Sequence, residues 1–111
     1  MQLEIVREGG TLTAHLMGEL DHHTAAPIRN EIDAAVLAAR STRLVLDLSR
    51  LSFMDSSGIG LIMGRYRLMA SLEGEVRIQG ANPRMERMIR LAGLDKLPIW
   101  EERKNADETD Q

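Results

Sequence analysis

Two short stretches of the sequence carry the side chains that could do chemistry. The first, 54-MDSSG-58, joins an acid to two adjacent hydroxyls and a glycine, and the second, 21-DHHT-24, joins an acid to two adjacent histidines. Hydroxyl, imidazole and carboxylate groups serve nucleophilic catalysis, and imidazole with carboxylate also binds metals. A helix start uses one capping hydroxyl at most, so one serine is free for another role. Four roles are possible: catalysis, metal binding, phosphate binding, or modification of a serine.

A serine hydrolase would use Ser56 as its nucleophile and His22 or His23 as its base. A nucleophile elbow needs Gly-x-Ser-x-Gly at a strand-to-helix turn. Here Met54 stands where the first glycine belongs, and its side chain would crowd the tight turn. The chain is also short for a hydrolase with a substrate pocket. A serine hydrolase is therefore not favoured.

A metal site would draw on Asp21, His22, His23 and Asp55. Adjacent histidines on a loop point in different directions, and the sequence offers no regular second pair of ligands to complete the set. The simpler interpretation is that one histidine makes a local hydrogen bond and the other faces solvent. No metal is predicted.

A phosphate-binding loop would use the backbone amides of residues 56–60, because free N–H groups at a helix N-terminus suit anions. The sequence lacks both Gly-x-x-x-x-Gly-Lys-Ser/Thr and Gly-x-Gly-x-x-Gly, the two patterns typical of nucleotide-binding loops. Nucleotide binding by the chain itself is therefore not favoured, and no cofactor is expected.

The fourth role is that a serine receives a phosphate. A hydroxyl at an exposed helix N-terminus is accessible, and a phosphate there adds a charge of roughly −1.5 to −2. The helix dipole and the free amides favour negative charge at that position, so modification need not unfold anything. It would place a charge on a surface, and this matters only if the surface binds a partner.

The elements that position these residues can be read from hydrophobic periodicity and from turn and cap signals. They follow the order β-β-α-β-α-β-α-β, in one domain at residues 1–100 with a polar tail at 101–111. The first two strands flank a Gly-Gly turn and predict a hairpin. Thr24 and the Asn82-Pro83 pair are candidate helix starts, and the continuous apolar run at 43–49 predicts a strand covered on both faces. The predicted ranges are 3–7, 11–18, 24–40, 43–49, 56–72, 76–80, 83–92 and 97–100.

Alternation of strands and helices predicts an α/β fold with a mostly parallel sheet and right-handed crossovers. In such sheets the loops that follow the strands gather at the carboxyl edge, where ligands and partners bind. The loops 18–24 and 53–58 follow two successive strands. Since sequential parallel strands are usually neighbours, we expect these two loops to lie side by side.

The helix after the double serine has two contrasting faces. Glycine in a helix costs about 1 kcal/mol relative to alanine, yet Gly58, Gly60 and Gly64 fall within the first three turns, with Leu61 close by. Such a bare surface favours close approach of another backbone, so partner docking is the better explanation. The opposite face should pack on the sheet through Ile59, Ile62, Met63, Tyr66, Met69 and Ala70.

Composition narrows the function classes. The 111 residues have a net charge of −3, three aromatic residues and no cysteine. These values argue against direct nucleic-acid binding, anionic membranes, disulfides and thiolate chemistry. The N-terminal ten residues carry acids and no apolar core of a signal peptide, and no apolar run is long enough to span a membrane. We therefore expect a cytoplasmic protein. Two arginine clusters at helical spacing are expected to be solvated helix faces: Arg65 with Arg67, and Arg84 with Arg87 and Arg90.

Three segments carry a resemblance to a known family: 18-GELDHHTA-25, 51-LSFMDSSGIGLIMGRY-66 and 91-LAGL-94. They resemble the anti-sigma-factor antagonists of the STAS domain family, and most closely the stage II sporulation branch from endospore-forming bacteria. The resemblance spans residues 2–100, and the Asp-Ser-Ser-Gly motif shows no departure from the family pattern. It implies a single STAS domain, with a parallel-rich sheet that begins with an antiparallel strand and has its helices mainly on one face.

The resemblance also implies a partner switch. In that family the unphosphorylated antagonist binds an anti-sigma factor that is also an ATP-dependent serine kinase, and this binding frees the sigma factor. The kinase phosphorylates the first serine of the motif, here Ser56, and the pair separates; a serine phosphatase restores the hydroxyl. ATP is supplied by the kinase, and the other serine, Ser57, can serve the helix start. The protein would then be a regulator and a substrate, not an enzyme, with no catalytic residues of its own, and it would be a monomer when alone.

The predicted phosphorylation site is therefore Ser56. Two alternatives stay open: a STAS interaction module that serves another stress-response sigma factor, and a scaffold that is never phosphorylated. The residues predicted to bind the partner are Gly18, Glu19, Asp21, His22, His23, Asp55, Ser57, Gly58, Ile59, Gly60, Leu61 and Gly64.

Overall fold

The computed structural model describes residues 2–101 of the chain, so the predicted polar tail lies outside the described residues except for Glu101. Within that part of the chain no helix is both long and apolar enough to cross a membrane. The order of elements follows the prediction as far as the third helix. The elements are β1 (Leu3–Glu8), β2 (Thr11–Leu20), α1 (Ala25–Ala39), β3 (Arg43–Met54), α2 (Ser56–Ser71), β4 (Glu75–Gln79), α3 (Pro83–Leu91) and a 3-10 helix (Leu94–Lys96).

The four strands form one mixed sheet in the order β1-β2-β3-β4. β1 and β2 are antiparallel, with Leu3 opposite Leu16, which confirms the predicted hairpin. β2 pairs with β3, and β3 with β4, in parallel, so that Leu12, Leu44 and Val76 lie side by side. The α/β fold class and the antiparallel start are thereby confirmed.

The last predicted strand, 97–100, is reduced to a single bridge between Trp100 and Ile78. The Ile78 amide donates to the Ile99 carbonyl, and the Glu101 amide donates to the Ile78 carbonyl at 3.0 Å. Pro98 has no N–H to contribute to a longer ladder. The segment therefore touches the β4 edge at one point instead of extending the sheet.

One hydrophobic core lies between the helices and a single face of the sheet. The helical spacing of Ile28, Ile32 and Val36 puts one stripe of α1 against it, and α3 contributes Met85 and Ile89. The strands supply alternate residues of β2 and β3. They include Leu12, Ala14, Leu16, Leu44, Leu46 and Leu48.

The opposite face of the sheet is also closed over β3. The register places Val45 beside Thr13, and Asp47 beside His15, with side chains that point away from the helices. Val45 and Asp47 are nevertheless buried, as the continuous apolar run predicted. The Asp47 carboxylate approaches His15 Nδ1 to 2.6 Å and accepts a hydrogen bond from the Ser49 amide at 3.1 Å. This pair joins β2 to β3 on the face away from the core.

The buried stripe of α2 differs from the predicted one. Leu61 and Arg65 are buried together with the expected Ile62 and Met69, whereas Ala70 is exposed. The reason is that α2 packs against α1 as well as the sheet, so the flank that carries Leu61 and Arg65 is covered by a second element. Ile59, Met63 and Tyr66 are half-buried.

The arginine clusters follow the prediction with one exception. The exposed members are Arg67, Arg84, Arg87 and Arg90. Arg65 is only 6% exposed, so its assignment to a solvated face was wrong. Its Nε lies 2.9 Å from Asp33 Oδ1 of α1, which gives the buried charge a counter-charge.

Candidate partner-binding and phosphorylation site

The two loops singled out in the sequence lie side by side at the carboxyl edge of the sheet. The last residues of the strands are in register, Glu19 with Phe53 and Leu20 with Met54. The amide of Asp55 donates to the Leu20 carbonyl at 3.1 Å. The predicted adjacency of the loops 18–24 and 53–58 is therefore confirmed, and it follows from the parallel pairing of β2 with β3.

Asp55 caps α2, and neither serine does. Its side chain accepts a hydrogen bond from the amide of Ser57 at 2.8 Å, and its backbone is extended, as an N-cap requires. The expectation that one serine hydroxyl serves the helix start was therefore wrong. Both hydroxyls occupy the first turn, with Ser56 exposed and Ser57 half-buried.

Gly58 and Leu61 are buried within the chain itself. A Cβ at Gly58 would lie 2.3 Å from Met54 Cγ and 3.1 Å from Leu20 Cδ2, so this glycine fits α2 against its own strand ends. Leu61 is 4% exposed and belongs to the core. Both residues were predicted to bind the partner; in the structure both pack within their own chain, and Leu61 also lines the cleft between α1 and α2.

Gly60 and Gly64 present the bare helix surface that the sequence predicted. A Cβ at either position would meet nothing within 4 Å. Gly60 is exposed and Gly64 is half-buried. The absence of side chains here is not explained by packing within the described residues, which agrees with a surface kept open for another chain.

Asp21 shapes the loop that precedes α1. Its Oδ1 accepts hydrogen bonds from the amides of His23 at 2.9 Å and Thr24 at 3.1 Å. Partial burial acts against the charged form, but the bonds from Thr24 and His23 outweigh it and lower the pKa of Asp21. Asp21 is therefore a carboxylate at neutral pH, and its charge stands beside the Ser56 loop.

Thr24 occupies the N-cap position of α1 but makes no side-chain cap bond, contrary to the prediction. Its hydroxyl donates to the Glu19 carbonyl at 2.9 Å and accepts from the Asp21 amide at 3.0 Å. The hydroxyl thus closes the loop between β2 and α1. Gly18, at the start of this region, has φ +82°, a left-handed conformation that favours glycine. Gly18 is therefore needed for the backbone path of β2.

The two histidines lie at the rim of this surface. His22 and His23 are both exposed, with ring centroids 4.0 Å apart. The Asp21 carboxylate accepts hydrogen bonds from the backbone amides of His23 and Thr24 and from the Thr24 hydroxyl. Among residues 2–101 no group of three or more His, Asp and Glu side chains is placed to hold a metal ion.

A cleft of about 330 Å³ opens between the first turns of α1 and α2. Sequence reasoning named four of its residues and missed Ala25, Ala26 and Arg29. The available signal was the pair of small alanines one turn before an arginine, which leaves room beside the helix. The cleft is lined by His22, Ala25, Ala26, Arg29, Ser57, Gly60 and Leu61.

A family model described as the STAS domain matches residues 2–106. The chain belongs to the STAS domain family. It is 40% identical over 107 residues to the anti-sigma F factor antagonist of Paenibacillus polymyxa, covering 96% of this chain and 92% of that protein. The resemblance to the anti-sigma-factor antagonists is thereby confirmed.

Two solved structures of the same fold are similar to this STAS domain. The anti-sigma factor antagonist SpoIIAA in its unphosphorylated form gives a TM-score of 0.78 at 30% identity, covering 96% of this chain and 94% of that one. The Bacillus cell fate determinant SpoIIAA in the phosphorylated form gives 0.72 at 30% identity, covering 98% and 99%.

Proposed function

We propose that this STAS domain is an anti-sigma factor antagonist that works as a phosphorylation-controlled partner switch in sporulation. In the unphosphorylated form it binds an anti-sigma factor that is also a serine kinase, and this binding releases the sigma factor. The kinase transfers the γ-phosphoryl group of its ATP to the Ser56 hydroxyl and the complex separates. A serine phosphatase hydrolyses the phosphoserine and returns the protein to its binding form. The protein itself is not a catalyst and acts in the cytoplasm.

The observation that carries the proposal is the placement of Ser56. It is an exposed hydroxyl at the first position of α2, next to the loop that carries Asp21, on a helix whose surface is bare at Gly60 and Gly64. Since Asp55 already caps the helix, the Ser56 hydroxyl has no capping role to lose. A hydroxyl in this position is accessible to a kinase. A phosphate attached to it would add negative charge to the surface proposed to bind the partner.

The comparisons support the same function. The relative at 40% identity is named for antagonism of anti-sigma F factor. The structure of SpoIIAA in a phosphorylated form is similar over nearly the whole chain. A name that denotes antagonism of another factor describes a regulator, and the segment 54-MDSSG-58 lacks the nucleophile elbow that a serine hydrolase would need.

The test is phosphorylation by the anti-sigma factor kinase from the same genome. Incubation with the kinase and ATP, followed by mass spectrometry, is expected to give one phosphate on Ser56. Ser56→Ala should take none and should hold the kinase persistently, while Ser56→Asp should bind it weakly. Ser57→Ala is the matched control, since it removes the neighbouring hydroxyl and should still be phosphorylated. Phosphate on Ser57 would overturn the assignment.

The two open alternatives give different results in the same experiment. A scaffold that is never phosphorylated would bind its partner with or without ATP and show no mass increase. A module for another stress-response sigma factor would bind a different anti-sigma kinase from the genome and leave the sporulation kinase unbound. Release of the unchanged protein from the sporulation kinase on addition of ATP, together with persistent binding of Ser56→Ala, distinguishes the proposed function from both.

A further inference from the structure

A buried arginine with an incompletely compensated charge, Arg65, lies near the cleft between α1 and α2 without lining it. Arg65 lies one turn along α2 from Leu61, which lines the cleft. Its guanidinium is buried, with Nε 2.9 Å from Asp33 Oδ1 but out of hydrogen-bond alignment, and Nη1 has no hydrogen-bond partner among the described residues. A buried guanidinium has five N–H donors to satisfy, so one carboxylate contact leaves it incompletely compensated.

Arg29 adds a second positive charge to the same place. It lies one turn before Asp33 on α1 and lines the cleft. Its side chain makes long hydrogen bonds of 3.4 and 3.5 Å to the Asn30 side chain, and it has no ion pair within residues 2–101. Burial lowers the pKa of Arg65, and the nearby Arg29 charge adds to this effect while Asp33 opposes it. Arg29 therefore adds a positive charge near Arg65 without a carboxylate of its own within residues 2–101.

The cleft also adjoins the surface assigned to the partner. Ser57 and Gly60 form its α2 wall, and His22 lies at its α1 end. Gly60 offers no side chain to block the entrance, so a side chain from another molecule can reach the interior. Ser56, the site of modification, does not line the cleft. The phosphate of Ser56 is therefore not expected to fill the cleft, whereas a side chain of the bound partner could.

We infer that this cleft receives a carboxylate side chain of the anti-sigma factor, which pairs with Arg29 and offsets the excess positive charge shared with Arg65. The inference rests on the proposed function and names the partner chemistry of that site. The occupant is acidic because Arg29 lines the cleft as a cation without an ion pair within residues 2–101, and the cleft volume of about 330 Å³ is large enough to admit a carboxylate side chain.

Such a pair would fix how the two proteins align. The sheet edge beside the cleft carries three carboxylates, Glu19, Asp21 and Asp55, which call for basic groups on the partner. A partner with an acidic group over the Arg29 cleft and basic groups over the carboxyl edge of the sheet would match this surface in one orientation. Complementary charge patterns of this kind contribute specificity and association rate more than affinity.

The test compares Arg29→Gln and Arg29→Glu with Arg67→Gln in binding to the purified anti-sigma factor kinase. Arg67 is an exposed arginine on the same helix as Arg65 and makes a matched control. Titration calorimetry at low salt is expected to show binding about tenfold weaker for Arg29→Gln and about a hundredfold weaker for Arg29→Glu, which are steps of about 1.4 kcal/mol per tenfold. Arg67→Gln should bind within about twofold of the unchanged protein, because isolated surface charges contribute little. Raising the salt concentration should narrow the gap between Arg29→Gln and the unchanged chain.

A reversal on the partner completes the experiment. Changing each acidic residue of the kinase to arginine in turn is expected to give one variant that restores binding of Arg29→Glu. If Arg29 variants bind as well as Arg67→Gln, or if no reversal restores binding, the inference is overturned while the proposed function stands. If the unchanged protein and Ser56→Ala both fail to bind the kinase, the proposed function fails first. Melting temperatures of all variants, measured alongside, are expected to agree, since Arg29 is exposed.

Discussion

At the scale of single residues, the site separates groups that hold the backbone from groups that are free to act. Asp55 and Thr24 are used locally, in the α2 cap and in the closure of the β2–α1 loop. Asp21 both shapes its loop and carries a charge at the site. Its Oδ1 accepts hydrogen bonds from two backbone amides, and its carboxylate lies at the carboxyl edge of the sheet. Ser56 remains as the exposed hydroxyl. Substitutions at Asp21 must therefore distinguish its hydrogen bonds within the loop from the charge of its carboxylate.

Asp21 is expected to contribute its charge to partner binding. Asparagine can still accept the amides of His23 and Thr24, so Asp21→Asn removes the charge and keeps the turn, whereas Asp21→Ala removes both. Both variants should bind the anti-sigma factor more weakly, by about tenfold for the lost charge contact. The melting temperature should change little in Asp21→Asn and fall in Asp21→Ala, which also loses the hydrogen bonds of the turn. Calorimetric titration of each against the kinase checks this. Unchanged affinity in Asp21→Ala would remove Asp21 from the surface, and weakening in the alanine variant alone would leave it only the role of shaping the loop.

The glycines of α2 are expected to respond in opposite ways to the same added methyl group. Gly60→Ala meets open space and should stabilise the protein by up to about 1 kcal/mol, the helix propensity difference. Gly58→Ala drives a Cβ into Met54 and Leu20, and overpacking of this kind costs about 1–3 kcal/mol. Urea unfolding gives both values. If the surface at Gly60 admits a partner backbone, Gly60→Ala should also bind the kinase less well despite its greater stability. Equal stabilisation by the two alanines would contradict the packing assigned to Gly58.

At the scale of elements, most of the architecture was predictable because it depends on local periodicity. The apolar stripe of α1 and the apolar run of β3 can each be recognised in the local sequence, so their burial was predictable. The burial of Arg65 was not predictable, because it depends on Asp33 of a different helix. The last strand was overestimated because the apolar residues around Pro98 resemble a strand, although they form one bridge. At the site, the adjacency of the two loops followed from parallel pairing. The buried positions of Gly58 and Leu61 needed the tertiary contacts.

The pair of Asp47 and His15 joins β2 to β3 on the face away from the core, and it should make the stability of the fold depend on pH. Burial disfavours the Asp47 carboxylate, but the hydrogen bonds from His15 and Ser49 outweigh it and lower the pKa of Asp47. A carboxyl with a folded pKa below its unfolded value, about 3.9, stabilises the fold above that value. This contribution is lost as the pH falls through the folded pKa. Asp47→Asn should therefore be less stable than the unchanged chain at pH 7, with the difference shrinking as the pH drops below about 4.

Urea unfolding between pH 3 and pH 7 checks this expectation. Asp95→Asn, on an exposed acid of the 3-10 helix, is the control for the loss of a carboxylate as such. A constant difference between Asp47→Asn and the unchanged protein over this range would mean that the ionised form of Asp47 does not stabilise the fold.

At the scale of the whole molecule, the fold separates the core from the site. The helices bury one face of the sheet, and the loops that carry Ser56 and Asp21 stand at its carboxyl edge. Ser56 is exposed while the next turns of α2 are anchored by Ile62 and Met69. A charge added at Ser56 therefore does not contact the core. We expect it to change the binding surface and to leave the packing of the core as it is.

Phosphorylation should therefore switch binding without refolding the protein. The dipole of α2 favours the phosphate by about 0.3–1 kcal/mol, although Asp55 already occupies the Ser57 amide and adds like charge nearby. Burying the phosphate against a partner without a matched cation costs several kcal/mol, and about 1.4 kcal/mol is tenfold in affinity. Repulsion and steric exclusion at the interface are thus enough to separate the complex. Amide NMR spectra of the two forms should differ mainly in residues 18–25 and 53–64, with nearly equal melting temperatures. Shifts spread through residues 43–48 and 76–79 would show instead that an internal rearrangement carries the signal.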